Sequence, residues 1–240
     1  MIKSLKIIGY ATYMNIASYV RVKESFFFSF IFPVFLFILF GFIWGRNYPD
    51  YIGNLFLGLI AMTIASDALF SIGPIVRIYV MTNSLKPLKV LPFDMTLHFL
   101  GLLFSRFIAI LITVVLLVIV SIILFNYSPT FESLVRVIIC SIIGTLIFGF
   151  LGLLIAFTVS PEASKGVINF LYFTMLFLSG TFYPIDIMPE FLQVFSHFLP
   201  LTHLLKFLKG EDQYLIYLIF WFLLFLGGFL LSFRRFSVKR

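Results

Sequence analysis

Residues 99–125 read FLGLLFSRFIAILITVVLLVIVSIILF, an apolar run in which Arg106 is the only charged side chain. As a helix rising about 1.5 Å per residue, the run is long enough to cross the roughly 30 Å of hydrocarbon in a bilayer. Its apolar residues do not alternate with polar ones, which excludes a strand of a membrane barrel. The run therefore predicts a membrane-spanning helix.

Five further apolar runs have comparable length and predict an all-α integral membrane protein. Together the six predicted transmembrane helices cover residues 26–45, 52–76, 99–125, 134–159, 166–183 and 214–233. Residues 26–240 are accordingly interpreted as one six-span transmembrane domain, preceded by a separate segment at residues 1–25.

The composition indicates the same class. Apolar residues make up 62% of the chain and charged residues 11%, whereas a soluble domain is about half apolar and about a quarter charged. The formal net charge is +7, but the basic residues lie at the ends of apolar runs, where lipid headgroups would meet them. Because no basic cluster is interleaved with stacking aromatics, nucleic acid is not an expected partner.

Lysine and arginine are distributed unevenly between the two sides of the predicted bundle. Of the 17 basic residues, four fall on one side, namely Arg46, Arg136, Lys206 and Lys209, and the others fall on the side that holds both ends of the sequence. The positive-inside rule then predicts cytoplasmic termini for a multi-pass protein of the cell membrane, plasma or inner.

Residues 1–25 do not resemble a span. Leu5, Ile8, Thr12, Ile16 and Tyr19 recur at helical spacing, which predicts an amphipathic interfacial helix on the inner membrane surface. A disordered basic leader is the alternative. A secretory signal is not expected, because the apolar run that follows is long and no small-residue cleavage site ends it.

The inner segment at residues 77–98 connects the second and third predicted spans. Leu85, Leu88 and Leu91 lie three apart and would form the apolar edge of a short helix that Pro92 ends. This edge is typical of a surface helix against lipid, or of a docking element for a cytoplasmic partner.

The outer segment at residues 184–210 is divided by Pro184, Pro189 and Pro200. Residues 190–199 are apolar but too short to span. They predict a short half-buried or re-entrant helix, which membrane depth permits only when protein covers its ends.

Two stretches near this segment carry a family resemblance. Residues 178–192 read LSGTFYPIDIMPEFL and residues 199–203 read LPLTH. Together they closely resemble the signature of ABC-2 type transporter permeases, in which a Ser-Gly pair near the end of span five precedes an aromatic-Pro step, a Pro-aromatic-Leu helix and a Pro-Leu-Thr step. The order of amphipathic start, six spans, inner segment and basic tail is similar along the whole chain.

The resemblance implies that the inner segment is a coupling helix inserted into a cleft of an ATPase subunit. The docking residues would be Ser84, Leu85, Lys86, Leu88, Lys89 and Pro92. Immediately upstream this chain departs from the family, since Val80-Met81-Thr82-Asn83 replaces the usual Glu/Arg-rich run and glycine. The resemblance therefore supports a docking helix in this segment better than it supports the individual polar contacts of the family.

The resemblance also implies a complex of several subunits. Two six-span permease subunits, identical or different, would each sit on one nucleotide-binding ATPase subunit, with lipids around them. The sequence contains no Gly-x-x-x-x-Gly-Lys-Ser/Thr loop, so ATP and Mg²⁺ are expected on the partner subunit. No catalytic residue, metal site or cofactor is expected in this chain, although the complex would be an ATP-hydrolysing translocase.

Two charged residues within the predicted spans require an explanation. Asp67 is the only acid in the middle of a span, where a charge costs at least about 2.5–3.5 kcal/mol. It is expected to face a partner helix or a cavity, either as a structural pair or as a residue of the substrate path. Arg106, near the inner end of span three, is expected to extend toward the headgroups.

Small residues supply the other candidates. Ser179, Gly180, Tyr183 and Pro184 belong to the family motif and are interpreted as an outer gate at the seam between subunits, with a static packing kink as the alternative. Gly41 and Gly45 match the close-packing pattern of membrane helices, but a chance match is the preferred interpretation.

The leading hypothesis is thus the permease of an ATP-driven exporter for a hydrophobic or amphipathic substrate, such as a drug, an antimicrobial peptide, a lipid or a lipid-linked glycan. A lipid-modifying membrane enzyme would need clustered acids or histidines, and this sequence has none. An ATP-independent secondary transporter, which would need several ionisable groups at the midplane, and a channel are the alternatives.

Overall fold

The computed structural model describes residues 2–21, 26–45, 49–81 and 95–238. In these ranges the chain forms nine α-helices and no strand, which confirms the all-α prediction. The helices are α1 (Ile2–Arg21), α2 (Phe32–Trp44), α3 (Pro49–Met81), α4 (Met95–Phe125), α5 (Phe131–Thr158), α6 (Pro161–Leu178), α7 (Glu190–Ser196), α8 (Pro200–Leu208) and α9 (Leu215–Val238).

Four helices in the described ranges are long and apolar enough to cross a membrane. They contain Tyr51–Val76, Gly101–Phe125, Phe131–Thr158 and Asp212–Arg234, and they coincide with four of the six predicted spans. The other two predicted spans also form helices, Ser29–Trp44 and Pro161–Leu178, but these do not meet the same criterion of length and apolar content. The chain is therefore a multi-pass membrane protein.

Local sequence accounts for where α5 and α6 begin. The hydroxyl of Thr130 accepts a hydrogen bond from the Ser133 amide at 3.2 Å, and the hydroxyl of Ser160 accepts one from the Ala163 amide at 3.4 Å. Each hydroxyl satisfies an amide that the first helical turn leaves without an intrahelical acceptor. Pro161 follows as the first residue of α6, where its missing N–H costs nothing.

A π-helical turn, Phe27–Ile31, leads into α2. It lies just before Pro33, which has no N–H to donate to the Ser29 carbonyl four residues earlier. The hydroxyl of Thr113 in α4 donates to that carbonyl at 3.0 Å. A neighbouring side chain thus satisfies a backbone group that the bilayer could not.

Helix α3 occupies the centre of the bundle and contacts α2, α4, α5, α6 and α8. Its closest neighbour is α5, since a Cβ atom on Gly73 would lie 2.2 Å from the carbonyl oxygen of Gly152. No L side chain fits there without a backbone shift. Small residues therefore set the spacing of the two helices, as is typical of packing in membranes.

Helix α1 occupies most of the first segment, and it packs against α4. The Thr12 hydroxyl donates to the Gly101 carbonyl at 3.2 Å, and a Cβ atom on Gly101 would lie 2.6 Å from that of Ala11. Thr12 is buried, while Lys6 and Tyr13 are exposed. Of the predicted apolar face, Thr12 is thus buried and Ile8 and Ile16 are partly buried.

The interpretation of Gly41 and Gly45 as a chance match is wrong. A Cβ atom on Gly41 would lie 2.4 Å from the Phe125 ring of α4, and one on Gly45 would lie 2.3 Å from Ile52 of α3. Both glycines provide room for side chains of neighbouring helices, so the pattern serves packing inside this chain.

Candidate functional site

The candidate gate is the turn that follows α6. Gly180 adopts φ +83°, a left-handed conformation that glycine reaches without steric cost. The buried hydroxyls of Ser179 and Thr181 lie 2.8 Å apart, within hydrogen-bond distance. The Ser-Gly pair predicted from the sequence therefore forms a tight, internally bonded turn.

This turn lies directly on the central helix. A Cβ atom on Gly58 of α3 would be 2.3 Å from the Thr181 carbonyl oxygen, so only glycine fits beneath the turn. Because the contact is backbone to backbone, the position of the turn and the position of α3 are coupled.

Aromatic side chains surround the same turn. The ring centroids of Phe182 and Phe40 lie 5.0 Å apart, and those of Tyr183 and Trp44 lie 5.4 Å apart in an edge-on arrangement. Trp44 also meets Tyr51 edge-on at 5.8 Å. This aromatic cluster joins the turn to the end of α2 and the start of α3, and Tyr183 remains 45% exposed. Pro184 follows in an extended conformation and is exposed.

Asp67 and Arg106 form a buried ion pair between α3 and α4. The Arg106 Nη1 atom lies 3.6 Å from the Asp67 carboxylate and 3.3 Å from the Ser71 hydroxyl, to which it donates. Asp67 is 6% exposed and Arg106 is 2% exposed. The expectation that Arg106 extends toward the headgroups is therefore wrong, because the carboxylate on the adjacent helix holds the guanidinium inside the bundle.

Helix α8 was not predicted from the sequence. One short helix was predicted at residues 190–199, and α7 lies within those residues, but a second helix follows and is mostly buried. Leu201, Leu204, Leu205 and Leu208 are all at most 2% exposed. Their helical spacing after Pro200 was the available signal.

Polar and aromatic contacts fasten α8 to α9. The Trp221 indole N–H donates to His203 Nδ1 at 3.2 Å, and the Tyr217 ring stacks on the imidazole at 4.8 Å. The Lys206 ammonium donates to the Tyr214 hydroxyl at 2.8 Å. Burial lowers the pKa of His203 below its usual value, and the nearby positive charge of Lys206 acts in the same direction.

A second ion pair lies at the surface near these contacts. Arg136 of α5 pairs with Asp212, just before α9, and with Glu132 one turn earlier in α5. Both carboxylates are largely exposed, at 73% and 76%. Among the described residues, the pair of Asp67 and Arg106 is thus buried, whereas the pairs of Arg136 have exposed carboxylates.

The predicted docking residues fall outside the described residues. Ser84, Leu85, Lys86, Leu88, Lys89 and Pro92 all belong to residues 82–94. The described chain reaches Met81 at the end of α3 and resumes at Met95 at the start of α4.

Long apolar helices around a central α3, with a tight turn and short helices between α6 and α9, indicate a multi-pass membrane protein rather than a soluble domain. The family model for the ABC-2 type transporter matches residues 8–210, and the chain belongs to that family. Membership makes it the permease component of an ABC transporter and implies association with an ATPase subunit. A comparison with curated proteins gave no match.

Proposed function

We propose that the chain is a six-span permease subunit of an ATP-driven exporter in the cell membrane, with both termini in the cytoplasm. The observation that carries the proposal is the family match over residues 8–210. The chain would work as a homodimer or a heterodimer, and a separate ATPase subunit would bind ATP and Mg²⁺. No reaction is assigned to this chain itself.

The lengths of the two remaining helices support six spans. At about 1.5 Å per residue, Ser29–Trp44 extends about 24 Å and Pro161–Leu178 about 27 Å. Each approaches the roughly 30 Å of hydrocarbon, and small mismatches cost little. With six spans the uneven distribution of basic residues follows the positive-inside rule.

The turn at Ser179, Gly180, Tyr183 and Pro184 is the proposed outer gate. Its backbone contact with Gly58 supports this role, because a tilt of α3 would move the turn with it. The aromatic cluster would separate on opening and would offer apolar surface to a hydrophobic or amphipathic substrate. Asp67 is assigned to the structural alternative, since its carboxylate lies beside the buried guanidinium of Arg106.

Residues 82–94 are the proposed coupling element, because they join α3 to α4 at the membrane side assigned to the cytoplasm. Replacing both Leu85 and Leu88 by aspartate would remove the apolar edge. The expected result is ATP hydrolysis that no longer drives transport, with normal membrane insertion. Unchanged coupling in that double variant would rule out this docking assignment.

Purification from the native host in mild detergent, followed by mass spectrometry, tests the whole proposal. A stoichiometric soluble subunit with a phosphate-binding loop is the expected companion, and a second permease would reveal a heterodimer. If the chain emerges alone after gentle extraction, the ATP-independent alternatives, a secondary transporter or a channel, become the better account.

A further inference from the structure

A cavity of about 200 Å³ lies between α3, α4, α5 and α9. It is lined by Ile72, Val76, Leu102, Leu103, Thr145, Leu146, Gly149, Phe150, Leu153 and Phe229, and all of the surface that faces it is apolar. The lining uses the last part of α3 and α9 and the first part of α4. The cavity therefore lies in the half of the membrane next to residues 82–94.

The cavity has a buried wall and a more open side. Leu102 and Ile72 are 1% and 5% exposed, whereas Leu103, Phe150 and Phe229 are only half-buried. The open side therefore lies between α4 and α9. Both helices expose most of their spanning parts, since the buried share is 33% for α4 and 11% for α9. The bilayer reaches this side directly.

The chemistry of the lining selects the occupant. A polar molecule would lose its hydrogen bonds to water and meet only apolar surface, because the buried hydroxyl of Thr145 contributes no surface to the cavity. Apolar cavities in proteins remain dry. At this depth the bilayer presents the acyl chains of its lipids. Gly149 contributes to the space because it has no side chain: a Cβ atom there would meet the Ile72 side chain at 2.8 Å.

We propose that the cavity binds an acyl chain of a membrane phospholipid, from the leaflet next to residues 82–94. The site is separate from the gate and independent of the transported substrate. Ser71 and Arg106 tie α3 to α4. Ser71 directly precedes Ile72, and Arg106 lies one turn beyond Leu102. The bound chain would therefore lie beside the close contact of α3 with α5 at Gly73 and Gly152, in the space between α4 and α9.

Photolabelling in reconstituted membranes tests the proposal. The probe is a phosphatidylcholine with a diazirine near the middle of one acyl chain, and labelled residues are identified by mass spectrometry. We expect labels on Leu102 and Leu153, which are 1% and 9% exposed and which lipid at the outer surface of the bundle does not reach. Labels confined to exposed residues such as Phe104 would overturn the proposal.

A cavity-filling variant provides the second test. Leu103→Trp places an indole at the open side, and Phe104→Trp, at the next position and 51% exposed, is the matched control. Labelling of Leu102 should be lost in the first variant and retained in the second. If Leu103→Trp fails to fold, Val76→Phe fills the same space from α3. Equal labelling of Leu102 in a folded cavity-filling variant and in the wild type would contradict the site. Labelling of Leu102 and Leu153 by a photoreactive alkane, but not by the phospholipid probe, would also contradict it.

Discussion

Helices α3 and α9 are both apolar and long enough to span, yet they occupy opposite environments. The spanning part of α3 has a mean hydropathy of 2.0 and is 83% buried, while that of α9 has a mean hydropathy of 2.4 and is 11% buried. The more apolar helix is the more exposed one. In a bilayer, lipid tails solvate leucine as well as a protein core does, so hydropathy does not decide which helix lies inside.

What brings α3 inside is its small and polar residues. Gly58 and Gly73 allow close backbone contact, and Asp67 and Ser71 bind Arg106. Helix α9 instead exposes large side chains such as Ile216, Leu223 and Leu231. It packs chiefly against α5, largely through aromatic rings, and also against α8. The difference predicts that equivalent substitutions in the two helices have unequal effects.

The largest effect is expected for Asp67→Asn in α3, which leaves the buried guanidinium of Arg106 without its countercharge. Losing one partner of a buried pair typically costs about 3–5 kcal/mol, so the free energy of unfolding in detergent should fall by about that amount. Asp212→Asn, in the exposed pair with Arg136, is the control and should change stability little. Similar losses in both variants would mean that burial does not distinguish the pairs. If Asp67→Asn remains stable but changes substrate preference, Asp67 belongs to the path.

A glycine exchange compares the helices directly. Gly73→Ala would place a Cβ atom 2.2 Å from the Gly152 carbonyl oxygen, whereas Gly227→Ala in α9 meets no atom within 4 Å. Overpacking costs about 1–3 kcal/mol, so the midpoint of thermal unfolding should fall for Gly73→Ala and stay unchanged or rise for Gly227→Ala. Equal midpoints would show that α3 and α5 are less closely packed than described.

A smaller effect on stability is expected when the pH falls, because His203 of α8 contacts α9. Because burial lowers the pKa of His203 in the folded protein, the unfolded chain takes up the proton first as the pH falls. Stability should therefore decline as the pH drops below about 6.5, the ordinary pKa of histidine. Protonation would also turn Nδ1 into a donor facing the Trp221 N–H.

The measurement is a series of thermal unfolding curves from pH 8 to pH 5. The His203→Gln variant should show a weaker decline below pH 6.5 than the wild type, with His197→Gln as a control for the neighbouring histidine. An identical decline in the wild type and His203→Gln would assign it to another group.

The smallest effect is expected for Leu223→Ala on the lipid-facing side of α9, where the side chain is 58% exposed. The lost contacts are with lipid or detergent, so stability should change by no more than about 0.5 kcal/mol. Leu69→Ala in α3, with a fully buried side chain, should cost about 2–5 kcal/mol. Chemical unfolding of both variants in the same detergent measures the contrast.

The sequence predicted those structural features that depend on the composition of a single segment. Apolar runs gave the four helices that are long and apolar enough to span, and the Ser179-Gly180 pair marked a turn whose conformation needs glycine. Arg106 was misplaced because its partner lies 39 positions away in the sequence, on another helix. Gly41 was misjudged for the same reason, since Phe125 occupies the space that it leaves.

Helix α8 was missed for a different reason. Hydropathy windows are tuned to segments that cross the whole bilayer, and the nine residues of α8 span about 14 Å. The leucines of α8 are apolar enough for the interior, but Lys206 and three nearby prolines make the region look like a loop. Only the surrounding helices α3, α5 and α9 show that the segment is inside.

The shortness of α8 also sets an order of events during biosynthesis. Nine residues that include Lys206 cannot enter the bilayer as an independent span. They can bury their leucines only against α3 and α5, which precede them in the chain, and α9, which follows. We therefore expect α8 to be fully enclosed only after the ribosome has delivered α9, so that the end of the bundle that holds α8 is completed late in biosynthesis.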